Sequence, residues 1–475
     1  MSPTAIDNLG PLFPEPLTAF DVYMVSDDKP DYPSTNVNRF VFRGAVLDRV
    51  ALQSAFEEAI NWEPGFFLRL NRRGLRTLFR CKPCWEFNSE FRPQLQFQTI
   101  GEDLLASESG QMVFPRMDLE RSAPLTITVL EGRDSVAFHI DFHHCVGDGM
   151  GILEFIGSWL TRYALKIDPT LNWRVFEPDL PLFLTRGLFE KKKDDRPLLT
   201  RLEAIRKNVL GWIAARPYPI KNLPGTPESA LYTELPDPEA VELPTSNWRV
   251  LPGELINVYH SIAKRNGVSL NTLFVRDLFL TLRQWSGKFP DLDLKRYCFR
   301  VLMPRNLRTE MHRNMPCANV AGYTFFDFSP SFCANESDLL QAIQQKTHNN
   351  PNSTLFLRAI AAFNRVPGLI SLFTTRKCAC TAVISNVGRF AHGFPQPHFC
   401  GQTRIAVPGL ELKRYIGAPL VRPGTPVSIG ITTHENETIL TFALDRMHFN
   451  EPSSRLFIEL YLEQIRQTCN RETQK

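Results

Sequence analysis

The residues best suited to chemistry stand together at Phe142-His143-His144-Cys145-Val146-Gly147-Asp148-Gly149. They offer two imidazoles able to take a proton near neutral pH, a thiol, and a carboxylate that can orient a turn. Upstream, period-two alternation places Val136, Phe138, Ile140, Phe142 and His144 on one strand face. His144 is therefore expected to continue an apolar face where the strand ends. A half-desolvated imidazole at that point stays neutral and can accept a proton from an attacking hydroxyl or amine. Gly147 and Gly149 permit a tight turn, and helical spacing begins at once with Ile152, Leu153, Ile156 and Leu160. A lone histidine beside a turn would read as a strand end. Two adjacent histidines, three residues and Asp-Gly at a strand-to-helix corner read as a proton-transfer site. Cys145 is a poor nucleophile candidate, because neighbouring strand residues point to opposite faces and His144 cannot serve it.

Elements that could position this corner are legible on both sides of it. Residues 37–46 have strand character, and Asp48 can cap a helix reaching Ile60 with Leu52, Phe56 and Ile60 on one face. Residues 68–81 look like a turn between two strands, and Leu125 to His144 reads as a hairpin turning at Glu131–Asp134. From about Trp173 to Pro252 prolines cluster around one basic amphipathic stretch, Leu198–Ala215. The second half restarts with helices near 253–266 and 269–286, the latter capped by Ser269. Five strands follow, in RYCFRVLM, VAGYTFFDF, CTAVISNVG, PVSIGITTHE and TILTFALDR, before a closing helix from Glu451. The prediction is an α/β protein in two halves. Residues 1–180 form a first lobe, 181–252 a crossover and 253–475 a second lobe.

Composition bounds the function. The 475 residues are 43% hydrophobic and 22% charged, an ordinary globular balance with enough chain for two cores. The net charge of +4 is too small to point to nucleic acid. Between Arg186 and Arg216 nine Arg/Lys face four Asp/Glu, a local +5, so the remainder is near −1. That stretch reads as a solvated helix, a phosphate-docking surface or a peripheral membrane contact. No apolar run approaches the roughly 18 residues of a membrane span, and the amino terminus lacks a secretory pattern. Ten cysteines without a disulfide spacing suggest reduced thiols, so a cytoplasmic protein is expected. Cys81-x-x-Cys84 and Cys378-x-Cys380 make a poor zinc set, because CxC spacing does not suit a zinc knuckle.

The stretch His143 to Gly149 matches the HHxxxDG signature of the condensation-domain superfamily of CoA-dependent acyltransferases. Met117 to Leu125 resembles the segment preceding that signature in wax-ester/diacylglycerol synthase relatives, and Leu17-Thr18-Ala19-Phe20-Asp21 resembles their amino-terminal opening. Val268 to Leu273, Met303 to Arg308 and Ile384 to Gly388 follow in the order that family shows. Thr126 and Thr272 depart from its wax-ester branch, which bears on substrate more than on chemistry. No carrier or adenylation segment is recognisable in the chain.

The resemblance implies two lobes like chloramphenicol acetyltransferase, joined as a V-shaped pseudo-dimer with a central tunnel. It implies acyl transfer from acyl-CoA or an acyl carrier protein to an alcohol or amine acceptor, with no metal or redox cofactor. His144 takes the role of general base, and His143 is a neighbour that shapes the turn. Asp148 holds the loop through an ion pair, with Arg308 the first candidate partner and Arg305 the second. Gly149 has a backbone role through close approach at the helix start. Ser385 and Asn386, and less strongly Ser428, are candidates for an oxyanion donor or tunnel lining, against the plainer reading of satisfied strand ends. The chain is expected to act as a monomer, without nucleic acid. The alternative is a catalytically silent domain of the same fold that binds an acylated carrier or a lipid partner.

Overall fold

The computed structural model describes residues 13–44, 47–76, 81–188, 243–289, 297–348, 380–389 and 405–473, with a few isolated positions besides. The first half opens with β1 (Glu15–Pro16), α1 (Ala19–Asp27), β2 (Thr35–Arg43) and α2 (Arg49–Ile60). The hairpin expected across 68–81 is β3 (Leu68–Arg76) and β4 (Cys81–Phe87), with β1 added at its edge. Then come β5 (Leu95–Thr99), β6 (Ser109–Val113), the hairpin β7 (Leu125–Glu131) and β8 (Ser135–His143), and α3 (Gly149–Ile167). The second half begins with β9 (Thr245–Leu251), α4 (Gly253–Arg265) and α5 (Leu270–Ser286). It continues through β10 (Phe299–Asn306), β11 (Ala321–Phe328), α6 (Glu336–His348) and β12 (Ala382–Arg389). It closes with β13 (Ala406–Val407), β14 (Leu410–Ala418), β15 (Val427–His434), β16 (Glu437–Leu444) and α7 (Glu451–Thr473).

Local chemistry starts the helices where the sequence indicated. The Asp48 carboxylate accepts the Ala51 N–H at 2.9 Å, and Ser269 Oγ accepts the Thr272 N–H at 3.1 Å. Thr18 and Asp21 form a reciprocal capping box on α1.

The strands make a six-stranded sheet, ordered β13-β14-β2-β8-β7-β5, and a seven-stranded sheet, ordered β11-β10-β12-β15-β16-β9-β6. Leu52, Phe56 and Ile60 of α2, with Ile156, Trp159 and Leu160 of α3, bury one face of the first sheet through Phe40, Phe42, Phe138 and Ile140. Helices α4, α5 and α7 do the same for the second sheet, where Tyr259, Phe274, Leu278, Phe457 and Tyr461 meet Ile384, Ile429, Ile431 and Phe442. Each such side chain removed from water stabilises the fold by roughly 1.5–3 kcal/mol.

The two sheets join where β14 lies against β15 and β16. Thr432 Oγ1 donates to the Tyr415 carbonyl at 2.6 Å, and Thr441 Oγ1 donates to the Gly417 carbonyl at 2.7 Å. Val37, Trp248, Ile416, Ile439 and Ala443 form an apolar cluster across the same junction. Backbones come close enough there that a β-carbon on Gly430 would overlap Thr441 Oγ1 and the Gly417 carbonyl.

Three strands cross the expected lobe boundaries. β13 and β14, from the second half, complete the first sheet beside β2. β6, from the first half, pairs with β9 in the second sheet, and β9 itself lies inside the stretch read as a crossover. Periodicity reports that a strand forms, whereas the unpaired edge it completes depends on the assembled sheets. The basic amphipathic stretch 198–215 lies almost wholly outside the described residues. Arg186, counted in its charge, is buried between Glu15 and Asp21 at 2.8 and 3.0 Å and so is no part of a solvated face. Among the described residues, no helix is long and apolar enough to cross a membrane.

The Gly430 contact is checked directly by thermal denaturation. Gly430→Ala is expected to destabilise the protein by about 1–3 kcal/mol through overpacking at the sheet junction, and an unchanged melting point would contradict that tight approach.

Candidate functional site

Strand β8 ends at His143, and the chain turns through His144-Cys145-Val146-Gly147 before α3 begins. Val136, Phe138, Ile140 and Phe142 do form one buried row against α2 and α3. His144 does not extend that row. It stands one residue past the strand, with its ring centroid 5.3 Å from that of Phe20 on α1. Phe20 in turn stacks on Tyr323 of β11 at 6.4 Å. The imidazole thus sits where elements of both halves meet.

Every polar group of His144 except one has a partner. Its N–H donates to the Ser34 carbonyl at 2.8 Å. Its carbonyl accepts from Asn319 Nδ2 at 2.6 Å. Nδ1 lies 3.1 Å from the Gly147 carbonyl, which can only accept, so Nδ1 carries the proton. Nε2 has no partner among the described residues and keeps a lone pair to offer. Burial lowers the His144 pKa below the ordinary 6.5, against the opposing charge of Asp148 and the hydrogen bonds. The ring is therefore neutral at physiological pH and presents an acceptor nitrogen.

His143 is fully buried on the other side of the corner. Its Nδ1 accepts the Cys145 N–H at 3.2 Å, so the proton resides on Nε2, which faces Asp28 Oδ2 at 3.6 Å. This ring stabilises the turn and is closed to substrate. Burial raises the Cys145 pKa well above its ordinary value, which keeps it a thiol. Cys84 and Cys380 are buried, and the side chains of Cys81 and Cys378 lie outside the described residues.

Asp148 points away from the imidazole and into the structure. Oδ1 caps α3 by accepting the Gly151 N–H at 2.9 Å. Oδ2 accepts the Val320 N–H at 2.8 Å and Arg308 Nη1 at 2.9 Å. Burial works against the carboxylate, but Arg308 and these N–H groups outweigh it and hold its pKa below the usual range. Arg305 instead donates to the Thr347 carbonyl at 3.0 Å. Arg308 also donates to the Ala318 carbonyl at 3.0 Å, so it ties Asp148 to the strap Met315–Val320 from the second half.

That strap is the part of the site that sequence reasoning missed. Besides the Asn319 and Val320 contacts, its Cys317 N–H donates to the Glu63 carboxyl at 2.6 Å. Burial pushes Glu63 up to about 8 and the nearby Glu154 up to about 7. The strap explains the glycines too. A β-carbon on Gly147 would overlap Cys317 Sγ, and one on Gly151 would come within 3.0 Å of the Ala318 nitrogen. The close approach expected at Gly149 falls at these two positions instead. At Gly149 the nearest atom a β-carbon would meet is Val387 Cγ2, at 3.8 Å, which is ordinary contact.

Val387 belongs to β12, whose Ile384 faces the helix-covered core of the second sheet. Alternation then turns Val383, Ser385 and Val387 toward the His144 corner, and Val383 packs with the Phe20 and Cys145 cluster. Asn386 is separated from them. Its Oδ1 accepts the Gly388 N–H at 2.7 Å across a strand irregularity where Gly388 adopts φ of 70°. Ser428 pairs with Val383 in register and shares its face, with a buried hydroxyl that has no hydrogen-bond partner among the described residues. Thr272 Oγ1 is occupied by Gln344 at 2.8 Å on the far side of the second sheet.

Two stability measurements follow from this geometry. Arg308→Ala is expected to cost about 3–5 kcal/mol because it strands a buried carboxylate, and Gly147→Ala should lower the melting point while Gly149→Ala leaves it unchanged. The Glu63 carboxyl keeps its proton up to about pH 8 when folded but only to its ordinary 4.5 when unfolded. Stability from this group therefore falls as pH rises across that window. Glu63→Gln should flatten the decline, read as melting points at the window's two ends, and an equally steep decline would show that Glu63 is not its source.

No family model matches the chain, and no curated protein matches it in sequence. Solved structures do. SgcC5 from Streptomyces globisporus superimposes with a TM-score of 0.65 at 13% identity, covering 96% of this chain and 99% of that one. The first condensation domain of the calcium-dependent antibiotic synthetase gives 0.64 at 12% identity, covering 96% of each. The starter condensation domain of the rhizomide synthetase RzmA, solved with C8-CoA, gives 0.61 at 11% identity, covering 97% and 95%. At such low identity the likeness establishes the fold. With the HHxxxDG corner at the meeting of two helix-covered sheets, this chain has the condensation-domain fold.

Proposed function

We propose that the protein is an acyltransferase that moves an acyl group from a thioester, acyl-CoA or acyl carrier protein, to a hydroxyl or amine. The observation that carries this reading is the free Nε2 of His144, held by the Nδ1–Gly147 contact and kept neutral by burial. A neutral imidazole can remove the acceptor's proton as its oxygen or nitrogen attacks the thioester carbonyl. The tetrahedral adduct collapses with loss of the C–S bond, and the imidazolium returns its proton to the departing thiolate. The products are the ester or amide and the free thiol, with His144 restored. No covalent enzyme intermediate is needed, because a thioester is already activated.

Ser385 and Ser428 share the sheet face turned toward this corner, which supports a role in lining the substrate path or donating to the oxyanion. Donor and acceptor would reach the corner from opposite sides, through a passage between the lobes. That the RzmA domain was solved with C8-CoA supports a thioester donor here.

The test uses purified protein with acyl-CoA thioesters from acetyl to palmitoyl and acylated carrier proteins, with and without mixed alcohols and amines, following free thiol product by mass detection. Acceptor-dependent release is expected, with His144→Ala slower by roughly 10²-fold or more and equally stable. Because burial depresses the His144 pKa, the acid limb of kcat/KM is expected below pH 6.5. Release that persists in His144→Ala would overturn the base assignment. Silence with every donor, alongside binding of an acylated carrier, would leave the non-catalytic reading.

A further inference from the structure

Asn319 lies in the Met315–Val320 strap and is buried. Its Nδ2 donates to two consecutive carbonyls of the HHxxxDG corner, His144 at 2.6 Å and Cys145 at 3.0 Å. The amide orientation is fixed by chemistry. Turned over, its oxygen would face two carbonyl oxygens, and neither could donate. The opposite atom, Oδ1, is buried with no partner among the described residues. A side chain that leaves one buried acceptor unsatisfied while bridging two main-chain carbonyls fixes the backbone it grips.

That grip matters because of where the other contacts lie. The Ser34 carbonyl holds the His144 N–H, and Gly147 holds Nδ1, both from the first half of the chain. Asn319 supplies the hydrogen bond from the second half to the His144 residue itself. Resting on the assignment of His144 as the base, we propose that Asn319 is a positioning residue for that base. It fixes the carbonyl of His144, and with it the Cα–Cβ direction along which the ring reaches Gly147 and turns Nε2 to the substrates. The second half thereby sets the aim of a base carried by the first.

Without the bridge, the corner's carbonyls would turn to water and the ring would lose its registry with Gly147. Misplacement of a reacting group by about 1 Å costs on the order of 10²-fold in rate. The imidazole would also be better solvated. Because burial is the largest cause of its depressed pKa, relief of burial outweighs the lost Gly147 hydrogen bond and moves the pKa toward the ordinary 6.5.

The experiment follows the His144 C2–H resonance by NMR titration, identified by its loss in His144→Gln, in the full chain and in Asn319→Ala and Asn319→Asp. Alanine removes the donor, and aspartate keeps the shape while replacing the N–H groups with oxygen. Upward movement of the His144 midpoint in folded variants is expected, together with a kcat on the order of 10²-fold lower at unchanged KM. The titration is independent of turnover, so it tests the positioning even if the protein transfers no acyl group. An unchanged midpoint would overturn the proposal, as would an unchanged kcat in an active protein. Loss of folding in both variants would also overturn it, making Asn319 a core residue and not a guide for the base.

Discussion

Asp148 must satisfy a helix terminus, a strap N–H and a guanidinium with a single carboxylate. Oδ1 takes the first turn of α3 through Gly151, and Oδ2 takes Val320 and Arg308. The two acceptors of one residue therefore bind the first half of the chain to the second. The geometry of the histidine corner depends on this join, because the corner lies between the end of β8 and the helix that Asp148 caps. A carboxylate buried this deeply is tolerable only while all these donors are present. The loop is consequently specified by both halves or not at all.

The surroundings of that carboxylate follow from it. Once Arg308 and Val320 are drawn to Asp148, the strap Met315–Val320 must pass directly behind the corner. Its sulfur and backbone then leave no room for side chains at Gly147 and Gly151. The same passage carries Asn319 to the carbonyls of His144 and Cys145 and brings the Cys317 N–H to Glu63. On the other side α1 closes the site. Asp21 accepts from its own cap residue Thr18, from Trp85 Nε1 at 3.0 Å and from Arg186 at 3.0 Å, which fixes the helix that sets Phe20 on the imidazole. The Leu17–Asp21 opening thus fixes α1 through a capping box and a buried ion pair and sets Phe20 against the His144 ring.

Charge and burial divide the two adjacent histidines into different roles. His143 uses its acceptor nitrogen on the Cys145 N–H inside the protein. His144 uses its donor on Gly147 and keeps its acceptor free. The difference comes from which ring nitrogen meets a backbone N–H and which meets a backbone carbonyl. Acyl transfer from a thioester asks little more of the protein than such a nitrogen, an aligned pair of substrates and an oxyanion donor.

The sequence by itself determined what depends on near neighbours. Strand and helix identity, the caps Asp48 and Ser269, the hairpin before His144 and the Asp148 turn are all set within a few residues, where periodicity and side-chain-to-backbone bonds act. The resemblance carried by His143 to Gly149, together with the Met303–Arg308 segment that follows in the same order, was enough to name Arg308 as the first candidate partner of Asp148. The tertiary structure decided what depends on residues far apart in the chain. Strands β6 and β14 settle into the sheet opposite to their own half, because an open edge accepts whichever strand reaches it. His144 leaves its expected row because the chain turns one residue early to meet Ser34 and Asn319. The tight glycines are Gly147 and Gly151 and not Gly149, since only the assembled fold brings Cys317 and Ala318 against them. Asn319 lies in no periodic pattern, and nothing in its neighbours marks it. Its part in the site comes from two hydrogen bonds spanning 175 and 174 positions of the chain.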